Sequence, residues 1–135
     1  MVREIFERGD AVVVMPYDPV LDRVVLLEQF RPGMLRSKDS PWLLEFVAGM
    51  FDDNESPEEV AMREAQEEAD LLLTPEDLHP VMKYFSSPGG TTECIHMFAA
   101  TIDSSNVAGI YGLPEEGEDI LLHVLSRDEA LALLA

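Results

Sequence analysis

The chain has a single cysteine, Cys94, in 135 residues, so no internal disulfide can form. It needs no oxidising compartment, and a reducing cytoplasm is the expected setting. Basic residues are scarce as well: 9 against 27 acidic ones, a formal net charge of −18. Such a chain repels a phosphate backbone, which argues against a nucleic-acid partner. No apolar run approaches the roughly 18 residues that span a bilayer. Met1-Val2-Arg3-Glu4-Ile5 lacks the apolar core of a signal peptide, so no membrane role is expected. There is no internal repeat and no low-complexity tract. No Gly-rich loop precedes a lysine as in phosphate-binding loops, and no Ser-His-Asp nucleophile elbow is visible. His79, His96 and His123 show no ligand spacing and read as structural. Cys94 reads as a buried thiol.

What is present is an ordinary globular composition, 47% apolar, in a length that suits one domain spanning residues 1–135. Residues 10–15 form an apolar run ahead of Pro16 and predict a strand, with Tyr17-Asp18-Pro19 as a turn. Residues 23–30 predict a second strand in a hairpin with the first. Residues 31–41 predict a loop, and residues 42–48 one short strand interrupted by Glu45. Ser56 as N-cap, Pro57 at the first helical position and Glu59 three residues on form a capping box. Val60, Ala61, Ala65 and Leu71 supply a buried stripe for that helix. Strands follow at 80–85 and 93–102 around a tight turn, Ser87-Pro88-Gly89-Gly90. A long polar loop is predicted over 104–119, a last strand over 120–125, and a second capping box at Ser126 and Glu129 opens a final helix. The order predicts an α/β fold with a mixed sheet sandwiched between helices.

The first helix carries the chemistry. Glu64, Glu67 and Glu68 stand at i, i+3 and i+4 and share one helical face. Each like-charged i,i+4 pair costs about 0.2–0.5 kcal/mol, and anions near a helix C-terminus oppose the macrodipole. A solvated acidic face is one reading of the cluster. A divalent-cation site is the other: Mg²⁺ prefers carboxylate oxygens and shares its shell with water and phosphates. Arg63, four residues before Glu67, could orient that carboxylate without competing for the ion.

Spacing alone leaves both readings open, but the segment from Gly49 resembles the Nudix box: Gly, five residues, Glu, seven residues, Arg-Glu, an aliphatic, any residue, Glu-Glu, any residue, Gly, an aliphatic. Here those positions are Gly49, Glu55, Arg63-Glu64, Ala65, Gln66, Glu67-Glu68, Ala69, Asp70 and Leu71. Every charged position matches. Asp70 departs from the family glycine that closes the helix in a left-handed conformation, which Asp tolerates better than most residues. The resemblance extends further along the chain, to the bacterial ADP-ribose pyrophosphatase subfamily. Arg3 to Gly9, Glu28-Gln29-Phe30-Arg31, Pro41 to Glu45, Val47 to Met50, Ser87 to Glu93 and Gly112 to Ile120 carry it. Pro88 marks the ADP-ribose-cleaving branch.

That resemblance implies a Nudix-type α/β/α sandwich and Mg²⁺-dependent hydrolysis of ADP-ribose to AMP and ribose 5-phosphate, with Mn²⁺ able to substitute. It implies metal ligation by the Ala48 carbonyl, Glu64, Glu68 and Glu118, with Glu67 in support and Glu116 as general base. Arg31 would meet a phosphate bidentately, Glu93 a ribose or the attacking water, and Arg3 the adenosine. Glu45 joins them on the substrate side. Alternatives are another nucleoside diphosphate sugar as substrate, or a non-catalytic ADP-ribose-binding module, although modules of that kind lose box carboxylates. A homodimer is expected. The N-terminal extension common in the subfamily is expected to be lacking, and the final helix is expected to be cut short at Ala135.

Overall fold

A computed structural model describes all residues, Met1 to Ala135. Eight strands build one mixed sheet: β1 (Ala11–Asp18), β2 (Arg23–Phe30), β3 (Trp42–Glu45), β4 (Val47–Met50), β5 (Leu78–Phe85), β6 (Cys94–Thr101), β7 (Ile110–Tyr111) and β8 (Ile120–Ser126). Helix α1 (Pro57–Ala69) lies between β4 and β5, and α2 (Arg127–Ala132) follows β8. The main path runs β5-β6-β1-β2-β8-β7, with β3 added to β2 and β4 added to β1. Only β1 and β6 pair in parallel; every other pair is antiparallel.

The hairpin of β1 and β2 is short. They pair only at Tyr17–Val24 and Asp18–Arg23, then separate. The fork is filled by β3, which pairs with Leu27 to Phe30, and by β4, which pairs with Ala11 to Val14. The single strand expected over 42–48 is therefore two strands broken at Phe46, because each half takes a different partner. The expected turn at Tyr17 is also displaced: β1 continues through Pro16 to Asp18. Pro16 sits between the stretch bonded to β4 and the stretch bonded to β2, so its missing amide removes no ladder bond on that side. The loop over 31–41 contains a 3₁₀ turn, Pro32–Arg36, and the loop over 104–119 contains β7.

Strand alternation divides the apolar residues between two faces. Val12, Val14, Val25, Leu27, Phe98, Ile120 and Leu122 pack with Val60, Ala61, Ala65 and Ala69 of α1 in one core. Each fully buried side chain of Val, Leu, Ile or Phe size contributes about 1.5–3 kcal/mol. The alternate residues Met15, Tyr17, Val24 and Leu26 face α2, whose Ala130 and Leu131 border the same groove. The sheet is thus sandwiched between the two helices, as the order of elements predicts.

Both capping boxes form. Ser56 Oγ accepts from the Glu59 amide at 3.2 Å and Glu59 accepts from the Ser56 amide at 3.4 Å. Ser126 and Glu129 repeat the exchange at 3.1 and 3.2 Å. Helix α1 ends at Asp70, which takes the left-handed conformation (φ 52°, ψ 35°), with its amide bonded to Gln66 O at 3.0 Å.

Candidate metal and substrate site

The buried face of α1 is not all apolar. Glu64 and Glu68 are only 7% and 6% exposed, alongside Ala61, Ala65 and Ala69. Their position follows from the helical period: residues four apart stack on the side that packs on β4. Gly49 of β4 makes this possible, since a Cβ there would overlap the Glu64 carboxyl group. Glu68 Oε2 accepts from the Ala48 amide at 3.3 Å. Burial pushes the carboxyl of Glu64 up to about 7 and that of Glu68 up to about 9.

A third carboxylate arrives from the segment joining β7 to β8. There Pro114–Glu116 form a 3₁₀ turn closed by Gly117 in the left-handed region. The Glu118 amide bonds Leu113 O at 3.2 Å, and the Gly112 amide bonds Glu67 O at 3.3 Å, tying this segment to α1. Gly112 (φ +106°) has no room for a Cβ, which would fall 2.7 Å from that of Glu118. Burial, then the neighbouring Glu116, pushes the Glu118 carboxyl up to about 7. Its Oε2 is buried without any hydrogen-bond partner. Glu116 itself is exposed.

Two arginines frame the cluster. Arg63 grips Glu55 with Nε and Nη2 at 2.8 and 2.9 Å, and its Nη1 donates to Glu64 at 2.8 Å and to Glu67 at 3.5 Å. Its Nη2 also reaches Met50 O at 3.0 Å. The guanidinium is therefore held chiefly by Glu55 and aimed at Glu64, with Glu67 the looser contact. On the other side Arg31, just past β2, pairs with Glu45 of β3 at 2.9–3.0 Å. It also feels the negative charge of Glu68 and Glu118, which places it beside the same cluster.

The structure thus brings together Arg31, Glu45, Ala48, Arg63, Glu64, Glu67, Glu68, Glu116 and Glu118. Arg3 and Glu93 make no hydrogen bond or ion pair with them. Arg3 lies in the exposed N-terminal segment, and its side chain donates to Met1 Sδ at 3.2 Å. Glu93 is held by Arg8 at 2.6 Å and by Ser86 Oγ at 2.8 Å. A groove of about 1030 Å³ lies on the α2 side of the sheet, lined mainly by apolar residues such as Met15, Leu26, Phe46 and Leu131. Only Glu45 and Arg127 among its lining residues are charged, and Glu45 is the partner of Arg31, so the groove borders the cluster at that one carboxylate. The two features that sequence reading missed are the grip of Glu55 on Arg63 and the demand at Gly112. The first had a signal, an acid eight residues before an arginine in the box; the second had none.

Two buried carboxylates and a half-buried third, all with raised proton affinity and one oxygen left unbonded, form a cage that is costly to ionise without a cation. All-oxygen donors suit a hard divalent ion.

A family model described as NUDIX domain matches residues 7–135. The ADP-ribose pyrophosphatase of Escherichia coli (strain K12) is 49% identical over 128 residues, covering 95% of this chain and 60% of that protein. The ADP-ribose pyrophosphatase of Haemophilus influenzae is 45% identical, covering 96% of this chain and 60% of that protein. This chain thus spans 60% of the length of either relative. A GDP-mannose pyrophosphatase of Pectobacterium atrosepticum is 37% identical, covering 98% of this chain and 67% of that protein. In fold, the crystal structure of an ADP compounds hydrolase matches with a TM-score of 0.68 at 23% identity, covering 93% of this chain and 60% of that one.

Proposed function

The chain belongs to the NUDIX domain family, and from that premise we propose that it hydrolyses the pyrophosphate bond of ADP-ribose, giving AMP and ribose 5-phosphate. The observation that carries this is the convergence of Glu64, Glu68 and Glu118, buried or half-buried, beside the cationic Arg31. The two relatives near half identity, both ADP-ribose pyrophosphatases, favour ADP-ribose over other nucleotide sugars.

In this reading Glu64, Glu68 and Glu118 hold Mg²⁺, or Mn²⁺ in its place, together with the Ala48 carbonyl. When bound, the ion neutralises the diphosphate and acidifies water. Arg63, itself fixed by Glu55, keeps Glu64 aimed into the cage. Glu67 supports these metal ligands. Arg31 turns its fork to a phosphate, and Glu45 sets its direction. Glu116, on an exposed turn next to Glu118, takes the proton of the attacking water as the oxygen closes on phosphorus and the bridging P–O bond breaks. Arg3 and Glu93 serve the adenosine and ribose ends, Arg3 across a homodimer in the cytoplasm. No helix is long and apolar enough to cross a membrane.

Incubation with ADP-ribose, GDP-mannose and further nucleotide sugars in Mg²⁺, with chromatographic detection of nucleoside monophosphate, tests the reading. AMP release from ADP-ribose at the highest kcat/KM is expected. Faster cleavage of GDP-mannose would move the substrate assignment. Tight ADP-ribose binding with no product in either Mg²⁺ or Mn²⁺ would make the chain a binding module.

A further inference from the structure

Outside the carboxylate cluster, one group of side chains combines three different donor types. Cys94 and His96 stand two residues apart on β6 and so point to the same face of the sheet. The parallel register of β1 and β6 pairs Ala11 with Ile95 and Val12 with His96, which brings Asp10, one residue earlier, beside Cys94. Asp10 Oδ2 and His96 Nε2 are 3.0 Å apart. One oxygen, one sulfur and one nitrogen from these residues all lie within 4.8 Å of one another. Cys94 is 3% exposed, whereas the Asp10 and His96 side chains are 42% and 17% exposed. The group is therefore anchored in the protein and open to solvent on the Asp10 side. The Phe51 ring lies against His96, with centroids 5.4 Å apart, and the Phe51 amide bonds Asp10 O at 3.4 Å. These contacts wall off a further side.

We propose that Asp10, Cys94 and His96 bind a divalent ion of the zinc class, at a site separate from the hard-cation cage on α1. Thiolate and imidazole select such ions and offer little to Mg²⁺. Tetrahedral bonds of about 2.0–2.3 Å put neighbouring donors roughly 3.3–3.8 Å apart. Asp10 and His96 are already near that separation, and the sulfur needs only a modest approach. Binding replaces the thiol proton: the S–H bond breaks, the sulfur–metal bond forms, and one proton leaves to solvent, while the imidazole proton shared with Asp10 moves to the other ring nitrogen. Three protein ligands leave the fourth position, on the open side, to water. Without an ion the same residues form a His–Asp pair beside an inert thiol, and the two states differ in their spectra.

The test is a Co²⁺ titration of the whole chain with Mg²⁺ in large excess, so that the carboxylate cage is filled. A thiolate-to-cobalt charge-transfer band is expected, saturating at one ion per chain and erased by Zn²⁺. Cys94→Ser should abolish the band, and His96→Asn or Asp10→Asn should weaken the affinity at least about tenfold. Glu68→Gln should leave it intact. Circular dichroism checks that each variant is folded, and the unmutated chain tests the proposal without any substitution. Absence of the band in that chain overturns the proposal. So does a band that survives Cys94→Ser, or an affinity that ignores both His96→Asn and Asp10→Asn.

Discussion

Gly49 and Glu64 share one volume: the space a Cβ would take on β4 is filled by the carboxyl end of the α1 side chain. Gly49→Ala therefore displaces the carboxylate rather than the backbone. Since the clash is with the tip of a flexible side chain, the stability cost is modest, about 1–2 kcal/mol. The catalytic cost is larger, because a proposed ligand is turned out of the cage. A fall in kcat of at least about 10²-fold is expected. Calorimetry and steady-state kinetics on the same sample separate the two effects. Near-normal turnover in a folded Gly49→Ala protein would remove Glu64 from the site.

Arg63→Lys keeps the charge and loses the fork. A lysine cannot grip Glu55 with two nitrogens while donating to Glu64 with a third. Stability should drop by about 1–3 kcal/mol. The Mg²⁺ concentration for half-maximal rate should rise as Glu64 loses its aim, and the ADP-ribose KM should change less. A Mg²⁺ dependence identical to that of the unaltered chain would contradict the positioning role.

Glu68→Gln tests what the buried carboxyl is for. Burial raises its proton affinity to about 9, so without metal at neutral pH it carries a proton, and the amide is a near-isosteric neutral replacement. The metal-free variant should melt within a few degrees of the parent, while turnover falls by at least about 10²-fold. A metal-free variant much less stable than the parent would mean that the ionised carboxylate has a structural partner.

Much of the fold was legible in the chain because it is local. The Ser56 capping box, the stripe of Val60, Ala61 and Ala65, and the shared face of Glu64 and Glu68 all depend on residues within one or two turns. Long-range pairing was not legible. The break at Phe46 exists because β3 and β4 add to different strands, and nothing within residues 42–48 announces a change of partner. Pro16 looks like a strand terminator until its place between two partners is known. Asp10, Cys94 and His96 were scattered in sequence, and only the parallel register of β1 and β6 gathers them. In the site, the α1 carboxylates followed from helical period, whereas Glu116 and Glu118 came only through the family resemblance, since a polar loop has no period.

Asp70 holds a left-handed conformation at the end of α1, where the family pattern has glycine. It also places a negative charge at the negative end of the helix dipole. Asp70→Gly relieves both, and the greater freedom of glycine in the unfolded chain offsets part of the gain. A net stabilisation of about 0.5–1 kcal/mol is expected, seen as a rise of a few degrees in Tm, with kcat unchanged. A lower Tm would show that the Asp70 side chain contributes more than its backbone strain costs.

The cage also predicts how metal-free stability varies with pH. Glu64, Glu68 and Glu118 have folded values near 7, 9 and 7, above the ordinary 4.5. The folded state therefore holds protons that the unfolded chain releases. The stabilisation is complete below about 4.5 and is lost as pH climbs through 7 to 9. Ordinary surface carboxylates are fully ionised by about pH 6, and hydrogen bonds from Ser104 hold Asp18 below the usual carboxylate range. The window from about pH 6 to 9 thus isolates the three glutamates from other acids. With chelator present, Tm should fall by at least about 5 °C across it. Saturating Mg²⁺ should flatten the fall, because the ion takes the place of the protons. Imidazoles in general change charge in the lower part of this window. Glu68→Gln separates the cage from the histidines: the amide cannot ionise, so the slope above about pH 8 should largely vanish while any histidine part remains. An unchanged slope in Glu68→Gln would mean the cage is not the source.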